Sequence, residues 1–172
     1  MERVDQIASE VMGEEILGDD ELHDKEQIRA CIGELKSERK TSVLISGRAG
    51  SGKSFAINQI SSQLKNVVLT ATTAKAAIGG GGVTIHSFLN MIPNRSVAKC
   101  VEFMSQKNRQ QIVNAEYLSV EEVSMWGALD FERAHEICSV VRGKEEFFGG
   151  LRLILSGDFA QLSPVKENFL YT

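Results

Sequence analysis

The sequence predicts an α/β domain in which a parallel sheet is covered by helices on both faces. Three observations predict it. Short, unbroken apolar runs alternate with helical patterns, as strands buried on both faces do. A glycine-rich loop stands between the first such strand and a helix, at 47–54. The later polar motifs also fall just past strand ends, where open α/β sheets carry their ligands.

The elements follow in order. Residues 1–21 mix isolated apolar residues with many carboxylates and read as an acidic leader, loosely attached as helix or disordered. From Leu22 onward Ile28, Cys31, Ile32 and Leu35 recur at helical spacing, and the charged stretch 36–40 ends that helix. A strand at 42–46 leads into the glycine loop. Then come a helix over 53–64, a strand over 66–71, a short helix at 74–78 and a hinge of four glycines at 79–82. A polar helix is expected from Val97 to about Asn114, a strand at 117–120, a helix from about Ala128 to Val141 and a last strand at 151–156. Residues 22–172 are thus expected to form one domain.

Composition bounds the rest. A chain of 172 residues with 42% hydrophobic and 24% charged side chains suffices for one domain with its own core. The formal charge of −4 supplies no overall attraction to nucleic acid, so any such contact has to be local. Cys31, Cys100 and Cys138 lie too far apart for a zinc knuckle and read as reduced core thiols. No apolar run reaches a membrane span, and the acidic start resembles no export signal. The expected compartment is intracellular.

Gly47-Arg48-Ala49-Gly50-Ser51-Gly52-Lys53-Ser54 fits G-x-x-x-x-G-K-[ST] in the strand-then-helix setting that makes it a phosphate-binding P-loop. Glycines let the backbone close around phosphate oxygens, and the amides of the helix start present partial positive charge to them. Gly47, Gly50, Ser51, Gly52, Lys53 and Ser54 are therefore the nucleotide-binding candidates, with Lys53 on the β and γ phosphates of ATP and Ser54 on Mg2+. Glu121 and Glu122 close the strand at 117–120 and suit two tasks: Glu121 holding the magnesium, Glu122 orienting or deprotonating the attacking water. After the strand at 151–156, the loop Gly157-Asp158-Phe159-Ala160-Gln161 brings an amide, Gln161, that can sense the γ phosphate.

Together these segments resemble the Pif-type DNA helicases, superfamily-one motors that move five-prime to three-prime on single-stranded DNA, over about 22–165. The glutamine of Leu22-His23-Asp24-Lys25-Glu26-Gln27 resembles the family's Q motif, which implies Gln27 as reader of the adenine edge. Ala71-Thr72-Thr73-Ala74-Lys75-Ala76-Ala77 is similar to motif Ia, usually Ala-Pro-Thr-Gly-x-Ala-Ala, and Gly82-Val83-Thr84-Ile85-His86-Ser87-Phe88 to the segment after it. Glu121-Glu122-Val123-Ser124-Met125 is similar to the Asp-Glu-Ile-Ser-Met of motif II, and 157–165 to motif III. RecD-type helicases share these motifs more loosely.

The resemblance implies a first RecA-like domain and places Thr73, Lys75, His86, Ser87 and Phe88 along a channel for single-stranded DNA. Polar side chains there would hold phosphates and the aromatic ring would stack on bases. A core histidine bonded to a loop and a packed phenylalanine would leave the same letters at His86 and Phe88. It also implies a second RecA-like domain, in cis or in trans, whose arginines complete catalysis. The chain ends just past motif III and is expected to bind ATP yet hydrolyse it slowly alone. Replication, repair, recombination and telomere maintenance are the processes implied, in the nucleus of a eukaryote or otherwise the cytoplasm. A small-molecule P-loop kinase and a degenerate ATP- or DNA-binding module are the competing readings. The first lacks an arginine-bearing lid. The second draws on Glu121 in place of Asp.

Overall fold

The structure is a computed structural model and describes residues 16–17, 25–39 and 41–158. Its order is β1 (Ile16–Leu17), α1 (Lys25–Lys36), β2 (Val43–Ser46), α2 (Lys53–Ser62), β3 (Val67–Ala71), α3 (Ala74–Gly79), β4 (Val83–Thr84), α4 (Ile85–Phe88), α5 (Val97–Glu102), α6 (Gln106–Asn114), β5 (Tyr117–Glu121), α7 (Ala128–Arg142) and β6 (Arg152–Gly157). Short 3-10 turns occupy Val123–Met125 and Phe147–Gly150. The six strands pair in the order β1-β2-β6-β5-β3-β4, and every pairing is parallel.

Alternation along each central strand divides the core into two layers. Leu44, Leu118, Val120, Leu153 and Leu155 face one cluster with α4 to α7, which holds Trp126, Phe131 and Phe148 in edge-to-face contact. Val43, Ile45, Tyr117 and Ile154 face the other, with α1 and α2. Both faces are covered, so the strands read as continuous apolar runs, as expected.

Several elements differ from the sequence reading. The polar helix expected over 97–114 is two helices. Met104 turns inward to 7% exposure, and the Ser105 hydroxyl accepts from the Asn108 amide to start α6 afresh. Ile85–Phe88 is one helical turn, capped by Thr84 Oγ1 accepting from the Ser87 amide at 3.2 Å. Within the expected leader, Ile16–Leu17 pairs in parallel with Leu44 and Ile45 as an edge strand. The rest of 1–21 lies outside the described residues, as do Gln161 and the remainder of 159–172.

Candidate functional site

β2, β5 and β6 end side by side, and their carboxyl ends build the site. After β2 the chain turns at Gly47, whose amide donates to Gly157 O at 3.3 Å, tying the loop to the end of β6. Gly50 (φ 81°) and Gly52 (φ 91°) take the left-handed backbone that glycine adopts without strain, so the loop curls and releases into α2. The Ala49 amide donates to Asp158 Oδ2 at 3.0 Å, which holds the crown of the loop against the β6 turn. Lys53 Nζ lies across the loop's base, donating to Gly47 O at 2.5 Å and Arg48 O at 2.7 Å. The Ser51 hydroxyl is buried and meets no hydrogen-bond partner, the kind of group a phosphate oxygen satisfies.

The two glutamates lie beside this loop. Ser54 Oγ donates to Glu121 Oε2 at 2.6 Å, so two hard oxygen donors sit within one hydrogen bond of each other. That suits Mg2+, which takes one or two protein oxygens and completes its octahedron with phosphate and water. Among the described residues no cluster of three or more His, Cys, Asp or Glu side chains could hold a metal by itself.

Glu122 has φ 59° and ψ 39°, left-handed for a residue with a side chain. Such a conformation costs on the order of 1–2 kcal/mol and persists where its surroundings fix it. Here Thr72 Oγ1 donates to Glu122 O at 2.8 Å, and Thr73 Oγ1 donates to Glu122 Oε2 at 2.5 Å. The turn points the Glu122 carboxylate to the same cavity as Glu121. That cavity is about 370 Å³ and is bounded by the loop 49–54, one face of α3, both glutamates and Ser156–Asp158. Three carboxylates (Glu121, Glu122, Asp158) and two ammonium groups (Lys53, Lys75) border it.

The structure thus gathers Gly50, Lys53, Ser54, Glu121 and Glu122 around one cavity. The residues expected along a DNA channel divide. Ser87 is exposed and His86 partly so, at 39% of its side chain. His86 Nε2 is 2.8 Å from Asp130 Oδ2 on α7, and Asp130 Oδ1 accepts from Arg133 at 3.2 Å. Phe88 is corrected: at 2% exposure its ring is core, because the turn of α4 points it at the sheet, and it offers no stacking surface. Lys75 borders the phosphate cavity, because residues 75, 76, 79 and 80 share the face of α3 turned to it. Thr73 spends its hydroxyl on Glu122 and the Ala76 amide. Gln27 is half-buried in the first turn of α1 and does not line the phosphate cavity. Its neighbours Lys25, Ile28 and Arg29 line a second cavity of about 370 Å³ with Phe55, Gln59 and Gln63 of α2.

Sequence reasoning did not single out Asp130 or Gly80, marked Thr72 only as standing where motif Ia usually has Pro, and gave Asp158 no assigned role. Asp158 had a signal, an acid directly after a strand-ending glycine. Asp130 and Thr72 act through partners 44 and 50 positions away and leave no local pattern.

A family model for the PIF1-like helicase matches residues 21–169. The chain belongs to the PIF1-like helicase family. It is 36% identical over 129 residues to the ATP-dependent DNA helicase PIF1 of Xenopus laevis, covering 73% of this chain and 20% of the relative. Among solved structures, Pif1 helicase from Candida albicans superposes with a TM-score of 0.73 at 27% identity, over 88% of this chain and 34% of that one. Pif1 helicase from Bacteroides in complex with ADP-AlF3 and ssDNA gives 0.71 at 27% identity, over 84% and 34%. The parallel sheet with its P-loop is therefore the RecA-like fold of that family. The chain spans about a fifth of the length of the curated relatives it matches. Among the described residues no helix is long and apolar enough to cross a membrane.

Proposed function

We propose that this chain is the ATP-binding and hydrolysing half of a DNA helicase motor that translocates on single-stranded DNA. The observation that carries it is the meeting of Ser54 Oγ and Glu121 Oε2 at 2.6 Å beside Lys53 and Glu122. In this reading the P-loop amides and Lys53 hold the phosphates of ATP, and Ser54 and Glu121 hold Mg2+, which neutralises charge on the β and γ phosphates. Glu122 orients the attacking water and takes its proton. Gln161, outside the described residues, senses the γ phosphate, and a second RecA-like domain in cis or in trans supplies the arginines. His86 and Ser87 remain the candidates for DNA phosphate contact. Genome maintenance is the process this motor would serve, whether in replication, repair, recombination or at telomeres.

The test is nucleotide binding and hydrolysis by the purified chain, with and without single-stranded DNA, beside Lys53→Ala and Glu122→Gln. Arginines donated in trans are worth about 10³ to 10⁵ in rate. Tight, magnesium-dependent ATP binding with very slow hydrolysis is therefore expected; Lys53→Ala loses binding, whereas Glu122→Gln binds and does not turn over. ATP binding that neither magnesium nor Lys53→Ala affects would overturn the reading.

A further inference from the structure

The four glycines at 79–82 are not equivalent. Gly81 has φ +71°, which calls for glycine on backbone grounds. A Cβ on Gly82 would stand 2.4 Å from Leu69 O, a clash with strand backbone. One on Gly79 would meet nothing within 4 Å. Gly80 differs from all three. Its φ of −87° and ψ of −1° are open to any residue, yet a Cβ there would stand 2.7 Å from Glu121 Oε1. The nearest backbone atom, Ala76 O, is an ordinary 3.5 Å away. The backbone therefore tolerates a side chain at position 80, and the obstacle is one carboxylate oxygen on a flexible arm.

That oxygen belongs to the residue that departs from the family's motif, Glu121 in place of Asp. Its second oxygen, Oε2, is the one Ser54 Oγ reaches at 2.6 Å. The longer side chain needs room if its carboxylate is to stay beside Ser54, and the bare side of Gly80 is where its Oε1 sits. We propose that Gly80 is the positioning residue for Glu121: the slot left by its missing side chain lets a glutamate deliver its carboxylate to the magnesium position beside Ser54. The proposal rests on the reading of Ser54 and Glu121 as the magnesium-ATP site. It adds that positions 80 and 121 must be matched in size.

The experiment is a titration of fluorescent ATP analogue with and without Mg2+, on wild type, Gly80→Ala, Glu121→Asp and the double variant. Removing an orienting neighbour of a metal ligand typically weakens metal binding about tenfold or more. Gly80→Ala is expected to weaken magnesium-dependent affinity roughly tenfold on that scale, with magnesium-free binding and the thermal midpoint near wild type. Glu121→Asp draws the carboxylate back by one methylene, so adding Gly80→Ala to it should change affinity less than about twofold, the non-additivity expected of groups in contact. An equal penalty in both backgrounds, or no penalty beside Glu121, would overturn the proposal while leaving the magnesium-ATP reading intact. Wild type that binds the analogue equally with and without Mg2+ would overturn both.

Discussion

Thr73→Val tests whether the motif Ia threonine serves the glutamate rather than DNA. Valine keeps the shape and removes the hydroxyl, which has two partners. It caps α3 by accepting from the Ala76 amide at 3.3 Å, and it donates to Glu122 Oε2 at 2.5 Å. Losing a threonine N-cap costs about 1 kcal/mol within a range of 0.5–2. A hydrogen bond to a carboxylate contributes about 1.5–3 kcal/mol when buried; both residues are only partly buried, so about 1 is the fitting figure after screening. The expected loss is about 2 kcal/mol, which for a chain of this size lowers the thermal midpoint by about 4–8 °C. Thr73→Ser keeps both hydrogen bonds and should remain within about 2 °C of wild type on the same scale.

Thermal denaturation followed by circular dichroism reads the stability, and fluorescence anisotropy of labelled oligonucleotide reads DNA affinity. If valine unfolds with wild type but loses DNA affinity, the hydroxyl works on DNA and the bond to Glu122 is incidental. If serine falls as far as valine, the methyl group and not the hydroxyl was the stabilising element. The expected pattern, valine destabilised and serine not, with DNA affinity little changed, would assign Thr73 to the glutamate.

Two further predictions follow from the placement of single side chains. Lys75→Gln should weaken ATP more than ADP, by about threefold as exposed charges do, with the difference fading at high salt and DNA affinity unchanged; a selective loss of DNA affinity in anisotropy would return Lys75 to the channel. The Cys138 thiol is raised from its ordinary 9.0 to about 12, chiefly by burial and against the lowering influence of Arg142. A folded pKa above the unfolded one contributes stability that is complete below pH 9 and lost as pH climbs toward 12. Urea midpoints should therefore fall across that window and fall less in Cys138→Ala, and an unchanged alkaline slope in the alanine variant would remove Cys138 as its source.

What the sequence made legible was whatever depends on local pattern. The runs Val43-Leu44-Ile45 and Leu153-Ile154-Leu155 mark buried parallel strands because both faces are apolar. The P-loop announces itself because its glycines, lysine and serine are constrained by one short stretch of backbone. Failures came where tertiary contacts decide. Ile85–Phe88 is too short for periodicity to distinguish a helical turn from a strand, so the side of Phe88 was not readable. The break between α5 and α6 depends on Met104 finding the core, which a count of polar residues does not foresee. Lys75 was assigned by its neighbours in the motif, whereas its face of α3 is set by how that helix packs against β3 and β4.

The departures from the family's motifs meet in one place, which bears on how the site is held. Register pairs Ala71 of β3 with Glu121 of β5, and the contact continues one step past the strand ends through Thr72, whose amide donates to Glu121 O at 3.0 Å. Proline, usual at that position, has neither this amide nor the hydroxyl that reaches Glu122 O. Thr72 thus secures both glutamates' backbone, Thr73 secures the Glu122 carboxylate, and Gly80 leaves room for that of Glu121. All three belong to α3 or its flanks. A displacement of α3 would consequently be felt by both carboxylates together, and the left-handed Glu122 backbone would lose the contacts that oppose its strain. The site's two acids and the start of α3 are in this sense joined by hydrogen bonds, of which a proline at position 72 could not make the two that Thr72 makes.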